Sequence, residues 1–248
     1  MAKKTKEFEN IKEHKRINDI LLGPLERPAI AWLVAHMPHW VTPDHLTFFG
    51  LAAAILIGVS YYLTNIDKNF LWLANLGFFL NWFGDSLDGN LARYRKIERP
   101  KYGFFIDHTM DTISEVCIFI GFGLSPYVNL ELALLALVSY LCMASLVYIT
   151  TSIKGEFKIS YGSLGPTEAR VIAMISNTVV YFLGNPMLNL RWFEISLYNL
   201  ILIFIIALLF FFFTSSVISQ GIKLEREDRE KNLKKTKKKK KSGKKGKK

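Results

Sequence analysis

Long apolar runs separated by short polar turns occupy most of this chain of 248 residues. Six of the runs approach the ~20 residues that a helix needs to cross the hydrocarbon core of a bilayer. Turn-forming Gly, Pro and Asn residues stand between them. The pattern predicts an all-α integral membrane protein with six transmembrane helices, at 45–64, 71–93, 103–124, 131–152, 167–184 and 195–219.

The first 41 residues do not fit that pattern. Ile11, Ile17 and Ile20 are interspersed with Lys and Glu, and the apolar run 29–41 is short and broken by Pro38. A helix with one apolar and one charged face lies in the membrane interface rather than across the bilayer. Residues 1–41 are therefore expected to form an N-terminal interfacial amphipathic segment, followed by the membrane domain at 42–221.

The composition supports a membrane protein. Hydrophobic residues make up 50% of the chain, and the mean hydropathy is +0.20 although 21% of residues are charged. This balance excludes whole-chain disorder, collagen-like repeats and a disulfide-rich secreted domain. Cys117 and Cys142 both lie in apolar runs, so neither a zinc site nor a disulfide framework is expected.

The net charge of +11 belongs to the end of the chain. Residues 222–248 hold 15 Lys or Arg and 4 Asp or Glu, whereas residues 1–221 hold 17 of each kind. A nucleic-acid-binding protein carries its excess charge on the folded body, so no nucleic-acid partner is expected. Residues 222–248 are predicted to be a basic, disordered cytoplasmic tail that can contact membrane lipids.

Basic residues also predict the orientation in the membrane. Seven Lys or Arg precede the first span and five lie in 93–101, on the same side as the tail, whereas Lys68 and Arg191 fall on the other side. Lys and Arg are enriched in cytoplasmic loops. Both termini, and the ends of the second and third spans, are therefore expected to face the cytoplasm.

Aspartates interrupt the second and third apolar runs. A charged residue inside a span costs about 3 kcal/mol and is a functional candidate for that reason. The two aspartates of the second run are three residues apart and the two of the third run are four apart, so each pair lies on one face of its helix. The connection between the two runs is short, which makes the two helices antiparallel neighbours. Converging carboxylates repel one another unless a cation neutralises them, and all-oxygen ligation favours Mg²⁺, Mn²⁺ or Ca²⁺. The four are Asp85, Asp88, Asp107 and Asp111.

Small residues accompany these aspartates: Gly89, Ala92 and Gly103. At such spacings small residues also serve close helix packing in membranes. Beside four carboxylates they favour a different interpretation, in which a flat or phosphorylated ligand approaches the backbone. Arg93 follows directly and is placed either to reach the interface or to contact a phosphate.

Together these residues resemble the signature of the CDP-alcohol phosphotransferase family. The resemblance covers about residues 40–220 and includes the run 42–47 before the first span. The residues that match the signature, with nine residues between the two halves, are Asp85-x-x-Asp88-Gly89-x-x-Ala92-Arg93 and Gly103-x-x-x-Asp107-x-x-x-Asp111.

The resemblance implies an enzyme of phospholipid biosynthesis, a homodimer, that moves a substituted phosphate from a CDP-linked donor to an alcohol hydroxyl and releases CMP. It implies Mg²⁺ or Mn²⁺ at the four aspartates, with Asp111 also acting as the general base. The positions that it places near the nucleotide are Thr42, Pro43, Asp44, His45, Gly89, Ala92, Arg93 and Gly103.

The acceptor and the donor are less determined. Lys154 and Arg170, at the cytoplasmic ends of the fourth and fifth spans, are candidates for binding an anionic acceptor, although both also suit the positive-inside pattern. The expected donor is CDP-diacylglycerol, with phosphatidyl transfer to an alcohol. Transfer from CDP-choline or CDP-ethanolamine to diacylglycerol stays open.

A cation transporter is the alternative from a different class. A cation path distributes carboxylates along the depth of the bilayer, often on broken helices. Here all four aspartates are expected near one face of the membrane, which favours the enzyme.

Overall fold

The chain folds into helices with one short hairpin, and the computed structural model describes residues 21–154, 165–190 and 193–245. Of Lys154, Leu190, Phe193 and residues 234–245 it describes the backbone alone. The helices are α1 (Gly23–Ala35), α2 (Pro43–Leu63), α3 (Phe70–Arg95), α4 (Pro100–Gly123), α5 (Leu130–Lys154), α6 (Pro166–Leu183) and α7 (Leu197–Lys245), and the antiparallel strands are β1 (Met187–Leu190) and β2 (Phe193–Ser196).

The helices α2 to α7 coincide with the six predicted runs to within a few residues, apart from the end of α7. The all-α prediction is therefore confirmed. By length and apolar composition, three segments within the described residues can cross a bilayer: Pro43–Leu63, Leu130–Ile153 and Leu197–Leu233. Helices α3, α4 and α6 are not among these segments, so six crossings stay a prediction.

Two segments differ from the expectation. The strands β1 and β2 occupy the stretch that was expected to be a turn and the start of the sixth span. At the other end, α7 continues as helix to Lys245, where a disordered tail was expected over 222–248. Lys, Arg and Glu are good helix formers. The ion pair of Glu225 with Arg229, spaced i,i+4, adds local support for the helix.

The N-terminal segment is described only in part. Residues 1–20, with Ile11, Ile17 and Ile20, lie outside the described residues. Helix α1 follows them and exposes Leu25 and Trp32. Large exposed apolar side chains are typical of a helix at the membrane interface, which remains the prediction for residues 1–41.

Helix α2 packs between α3 and α4 at two glycine crossings. A Cβ on Gly84 would lie 2.6 Å from the carbonyl oxygen of Leu46 and 2.8 Å from the Cα of Gly50. A Cβ on Gly58 would lie 2.5 Å from the carbonyl oxygen of Cys117. The three backbones can approach this closely only because side chains are missing at the crossings. The close packing fixes α3 and α4, and hence their aspartates, relative to each other.

A buried polar cluster joins four helices at the other end of the bundle. The Oδ1 of Asn177 accepts hydrogen bonds from the hydroxyls of Tyr61, at 2.9 Å, and Tyr198, at 2.8 Å. The Nδ2 of Asn177 donates to Oδ1 of Asn75 at 2.8 Å. Hydrogen bonds of this kind hold helices together where the hydrophobic effect cannot. They link α2, α3, α6 and α7 away from the aspartates.

Candidate metal centre

Three of the four aspartates come together between α3 and α4. Carboxylate oxygens of Asp85, Asp107 and Asp111 all lie within 4.8 Å of one another, and the three side chains are partly buried. Such close carboxylates repel one another strongly unless a cation lies among them. An oxygen-only donor set is what hard divalent ions such as Mg²⁺ prefer. The cluster can therefore bind a metal ion, and its donors fit the predicted class of ion.

The fourth aspartate, Asp88, lies beside this group and is held by α2. Its Oδ2 accepts a hydrogen bond from the Oγ1 of Thr47 at 2.6 Å, and its Oδ1 accepts one from the backbone N–H of Gly89. The residue is 7% exposed. Four converging carboxylates were expected. The structure brings three of them together, with Asp88 next to the group. Metal ligation by Asp88 stays a prediction.

Arg170 reaches the cluster from α6. Its Nη2 donates to the Oδ2 of Asp85 at 2.6 Å, and its Nε donates to the Oδ1 of Asn81 at 2.8 Å. The Nδ2 of Asn81 donates in turn to the carbonyl of Gly50 at 2.9 Å, so both groups of this amide are satisfied. The Arg170 side chain is only 13% exposed. A largely enclosed cation at this position offsets part of the repulsion among the carboxylates.

The sequence grouped Arg170 with Lys154 as acceptor-binding residues. The structure places Arg170 against the aspartates, and the side chain of Lys154 lies outside the described residues. Their common role stays a prediction.

A further acid continues the aspartate face of α4. Glu115 lies one turn beyond Asp111, and the hydroxyl of Tyr140 on α5 hydrogen-bonds to it. Arg170 is close enough to both acids to attract them. The Arg170 guanidinium thus contacts a carboxylate of α3 and attracts two carboxylates of α4.

The predicted nucleotide-contacting run 42–45 forms the start of α2. The backbone N–H of His45 donates to the Oγ1 of Thr42, and the N–H of Thr42 donates to the Nδ1 of His45, each at 3.3 Å, with Pro43 as the first helical residue. Asp44 forms an ion pair with Arg99 at the start of α4. This run lies at the same end of the bundle as the aspartates, since Thr47 reaches Asp88 one turn later.

The small residues of the signature leave open surface. A Cβ at Gly103 would meet no described atom within 4 Å, and one at Gly89 would meet the Arg93 guanidinium at 3.5 Å, an ordinary contact. Ala92 is half-buried, and the Nη2 of Arg93 donates to the Oδ1 of Asn90 at 2.9 Å. The close helix crossings among the described residues use other glycines, so the packing interpretation does not account for Gly89 and Gly103. Contact of these two glycines with a ligand stays a prediction.

Some residues of the site carry no signal in the sequence. Thr47 lies within the resemblance, but its bond to Asp88 depends on the crossing of α2 with α3. Asn81 and Tyr140 read as ordinary polar residues of apolar runs. Their importance follows from helix packing, because each contacts a charged residue that is far away along the chain.

Comparisons with known proteins match this part of the chain. The sequence model of the CDP-alcohol phosphatidyltransferase family matches residues 40–213, which contain every residue of the signature. The chain is similar to cholinephosphotransferase 1 of Danio rerio, with 27% identity over 172 residues. It is similar to archaetidylinositol phosphate synthase of Pyrococcus horikoshii, with 31% identity over 138 residues, and to phosphatidylinositol phosphate synthase of Cutibacterium acnes, with 37% identity over 97 residues.

The matched parts cover 64%, 55% and 39% of this chain, in that order. They cover 43%, 69% and 42% of the three relatives. The chain thus spans less than half the length of two of them.

Proposed function

Because the chain belongs to the CDP-alcohol phosphatidyltransferase family, we propose that it transfers a phosphatidyl group from CDP-diacylglycerol to the hydroxyl of an alcohol and releases CMP. The observation that carries the proposal is the cluster of Asp85, Asp107 and Asp111, which lies at the same helix ends as the glycines of the signature. A carboxylate cluster with open surface beside it suits a ligand that contains a pyrophosphate.

The four aspartates would hold Mg²⁺ or Mn²⁺, which neutralises the pyrophosphate of the donor and the departing CMP. The chain's own part is to position the reactants and to move one proton. Asp111 accepts the proton of the acceptor hydroxyl at a carboxylate oxygen. Gly89 and Gly103 leave room for the nucleotide, and the run 42–45 borders the same space.

Arg170 supports an acceptor that carries an anionic group. Its guanidinium contacts Asp85 and attracts Asp111 and Glu115, so a phosphate or carboxylate that it bound on the acceptor would be brought toward the base. Diacylglycerol has no such group, so this contact favours a soluble anionic alcohol as acceptor. Lys154 is proposed to bind the same anionic group of the acceptor. Headgroup transfer to diacylglycerol remains the second candidate, because one relative is named cholinephosphotransferase.

Purified protein in detergent decides between the two reactions. One arm supplies CDP-diacylglycerol with a panel of alcohols, some phosphorylated and some not. The other arm supplies CDP-choline or CDP-ethanolamine with diacylglycerol. We expect CMP release in the first arm, and most with a phosphorylated alcohol. Release confined to the second arm would replace the proposal by the second candidate, and release in neither would remove both.

The proposal includes the arrangement in the membrane. Six crossings would place both termini, the aspartates and Arg170 on the cytoplasmic side, next to the basic residues of 93–101. The homodimer implied by the resemblance also stays a prediction.

Filling the open surface at Gly103 is expected to block the donor. A Cβ at residue 103 meets no described atom within 4 Å, so in Gly103→Leu the fold should persist while the donor KM rises by about tenfold or more. Gly221→Leu is the matched control, because a Cβ on Gly221 is also free of contacts and the residue lies on α7, far along the chain from the aspartates. An unchanged donor KM in Gly103→Leu would remove this glycine from the nucleotide site.

Gly84→Ala is the opposite case. Its Cβ would collide with the backbone of α2, which cannot move aside as a flexible side chain would. Overpacking of this kind costs about 1–3 kcal/mol. We expect a lower midpoint of thermal unfolding in Gly84→Ala and a wild-type midpoint in Gly103→Leu. Equal midpoints in the two variants would contradict the difference between packing and ligand-facing glycines.

Deleting residues 231–248 is expected to leave turnover in neutral detergent unchanged. The deletion removes 12 of the 15 basic residues of the tail and lies beyond the family match. Basic residues near an anionic surface contribute about 1 kcal/mol each to membrane attraction. The deletion should therefore have an effect on turnover only after reconstitution into anionic vesicles, and none after reconstitution into neutral vesicles. A large loss of turnover in detergent, in folded protein, would place the tail at the site.

A further inference from the structure

Glu26 on α1 connects two of the helices that form the site. Its Oε1 accepts hydrogen bonds from the Nε1 of Trp82, at 2.8 Å, and from the Oγ of Ser86, at 2.9 Å, both on α3. The Oγ1 of Thr167 on α6 donates to the same carboxylate and lies 3.2 Å from each of its oxygens. One carboxylate thus takes donors from α3 and from the first turn of α6.

These donors are close neighbours of the Asp85–Arg170 ion pair. Ser86 follows Asp85 directly, and Thr167 precedes Arg170 by three residues, slightly less than one helical turn. Glu26 therefore acts within one turn of both members of the pair. Within the described residues Glu26 forms no hydrogen bond or ion pair with Asp85 or Arg170, so its influence passes through the two helices.

A second carboxylate strengthens the same connection from the opposite direction. The Oε1 of Glu168 on α6 accepts from the backbone N–H of Leu22 at 2.8 Å, and its Oε2 accepts from the N–H of Gly165 at 2.9 Å. Glu168 is 4% exposed. Residues 155–164, which precede α6, lie outside the described residues. Glu26 and the backbone N–H of Leu22 thus tie the first turn of α6 to the start of α1, in addition to the bonds that Arg170 makes to α3.

The hydrogen bonds make Glu26 sensitive to substitution. Burying part of a carboxylate is favourable only when its oxygens are hydrogen-bonded, as they are here. Removing the carboxylate leaves three donors on two helices without their acceptor. The start of α6 then loses the link to α3 that runs through Glu26, and the bonds of Arg170 to Asp85 and Asn81 remain as its connection there.

We propose that Glu26 is a positioning residue, which holds the start of α6 against α3 and thereby keeps the Arg170 guanidinium at Asp85. The residue lies before the family match, which begins at residue 40. The kinetic part of the proposal rests on the proposed function, in which Arg170 binds the acceptor. Glu26 touches no reacting group, so its effect should have the same character as a defect in Arg170.

The kinetic test compares Glu26→Ala, Glu26→Gln, Arg170→Lys and the double variant Glu26→Ala/Arg170→Lys. Glu26→Ala should raise the acceptor KM about tenfold and leave the donor KM unchanged, because a small displacement of a binding group is costly. Glu26→Gln should restore most of the loss, since an amide oxygen accepts the same hydrogen bonds. Glu225→Gln is the control for losing one exposed carboxylate.

The double variant separates positioning from general destabilisation. If Glu26 acts through Arg170, the double variant should be no more than about twofold worse than Arg170→Lys. Effects that multiply, or a donor KM that rises equally, would overturn the proposal. Thr167→Val removes a single donor of the cluster and serves if Glu26→Ala does not fold.

A distance measurement tests the same proposal without activity. Spin labels at Leu25 and Ile172, which are 76% and 47% exposed, report the separation of α1 from α6 once Cys117 and Cys142 are replaced by Ala. Glu26→Ala should shift or broaden the distance distribution, and Glu26→Gln should not. An unchanged distribution in Glu26→Ala overturns the proposal. If the wild type releases no CMP from any donor, the proposed function fails, and the distances still decide whether Glu26 holds α6.

Discussion

Replacement of Asp111 by Asn is expected to lower the turnover number for CMP release by about 10²- to 10⁴-fold, the usual contribution of a general base. Asn has nearly the same shape as Asp, so the packing around α4 should persist, but it does not accept a proton at neutral pH. Asp85 and Asp107 remain in the cluster, so donor affinity should change little. The expected signature is a fall in kcat at nearly constant donor KM.

Two measurements make this result decisive. Steady-state CMP release gives kcat, and equilibrium binding of the donor is measured separately on the same protein. Asp67→Asn is the matched control, because Asp67 is exposed in the connection between α2 and α3. An Asp111→Asn enzyme that turns over near the wild-type rate is not missing its base, and the role would then pass to another group. A variant that fails to bind the donor would make Asp111 chiefly a metal ligand.

Chelation of divalent ions is expected to reduce CMP release to background, and Mg²⁺ or Mn²⁺ should restore it. Three carboxylates within 4.8 Å of one another have no other evident means of accommodating a pyrophosphate, which adds further negative charge. Arg170 supplies one positive charge to this group, which cannot balance the aspartates and the donor together. Activity that persists in excess EDTA would end the metal hypothesis.

The metal prediction has a test that does not depend on turnover. Electron paramagnetic resonance of Mn²⁺ measures its binding to the protein in the absence of donor and acceptor. Asp107→Asn should weaken this binding about tenfold or more, because it removes one charged ligand of the cluster. Asp67→Asn should leave the binding as it is. Equal Mn²⁺ affinity in the wild type and Asp107→Asn would place the ion elsewhere.

The features that follow from local spacing could be predicted from the sequence. Apolar run lengths gave the positions of α2 to α6 to within a few residues. The i,i+4 spacing of Asp107 and Asp111, with a short connection back to Asp85, predicted a carboxylate cluster between adjacent antiparallel helices, because neighbouring helices with a short loop leave little freedom. The family resemblance, which rests on the same residues, was confirmed.

The features that depend on packing of distant helices could not be predicted. Arg170 and Asp85 are 85 residues apart, and their contact requires α6 to lie against α3 at one particular rotation. Hydropathy does not specify that rotation. The same holds for Glu26, whose partners lie 56 to 141 residues further along the chain. The glycines of the signature and those at the crossings look alike in the sequence, and only the structure separates them.

The glycine crossings of α2 have a consequence for how this kind of protein can change during evolution. Backbone contact at Gly50, Gly58 and Gly84 makes α2, α3 and α4 one stiff unit that carries all four aspartates. Arg170 comes from α6, which meets that unit through side chains that mutation can exchange one at a time. If Arg170 binds the acceptor as proposed, substitutions on α6 can alter the alcohol that is accepted while the glycine crossings keep the four aspartates in place. Under that proposal, chemistry and selectivity occupy separate parts of one bundle and can change independently during evolution.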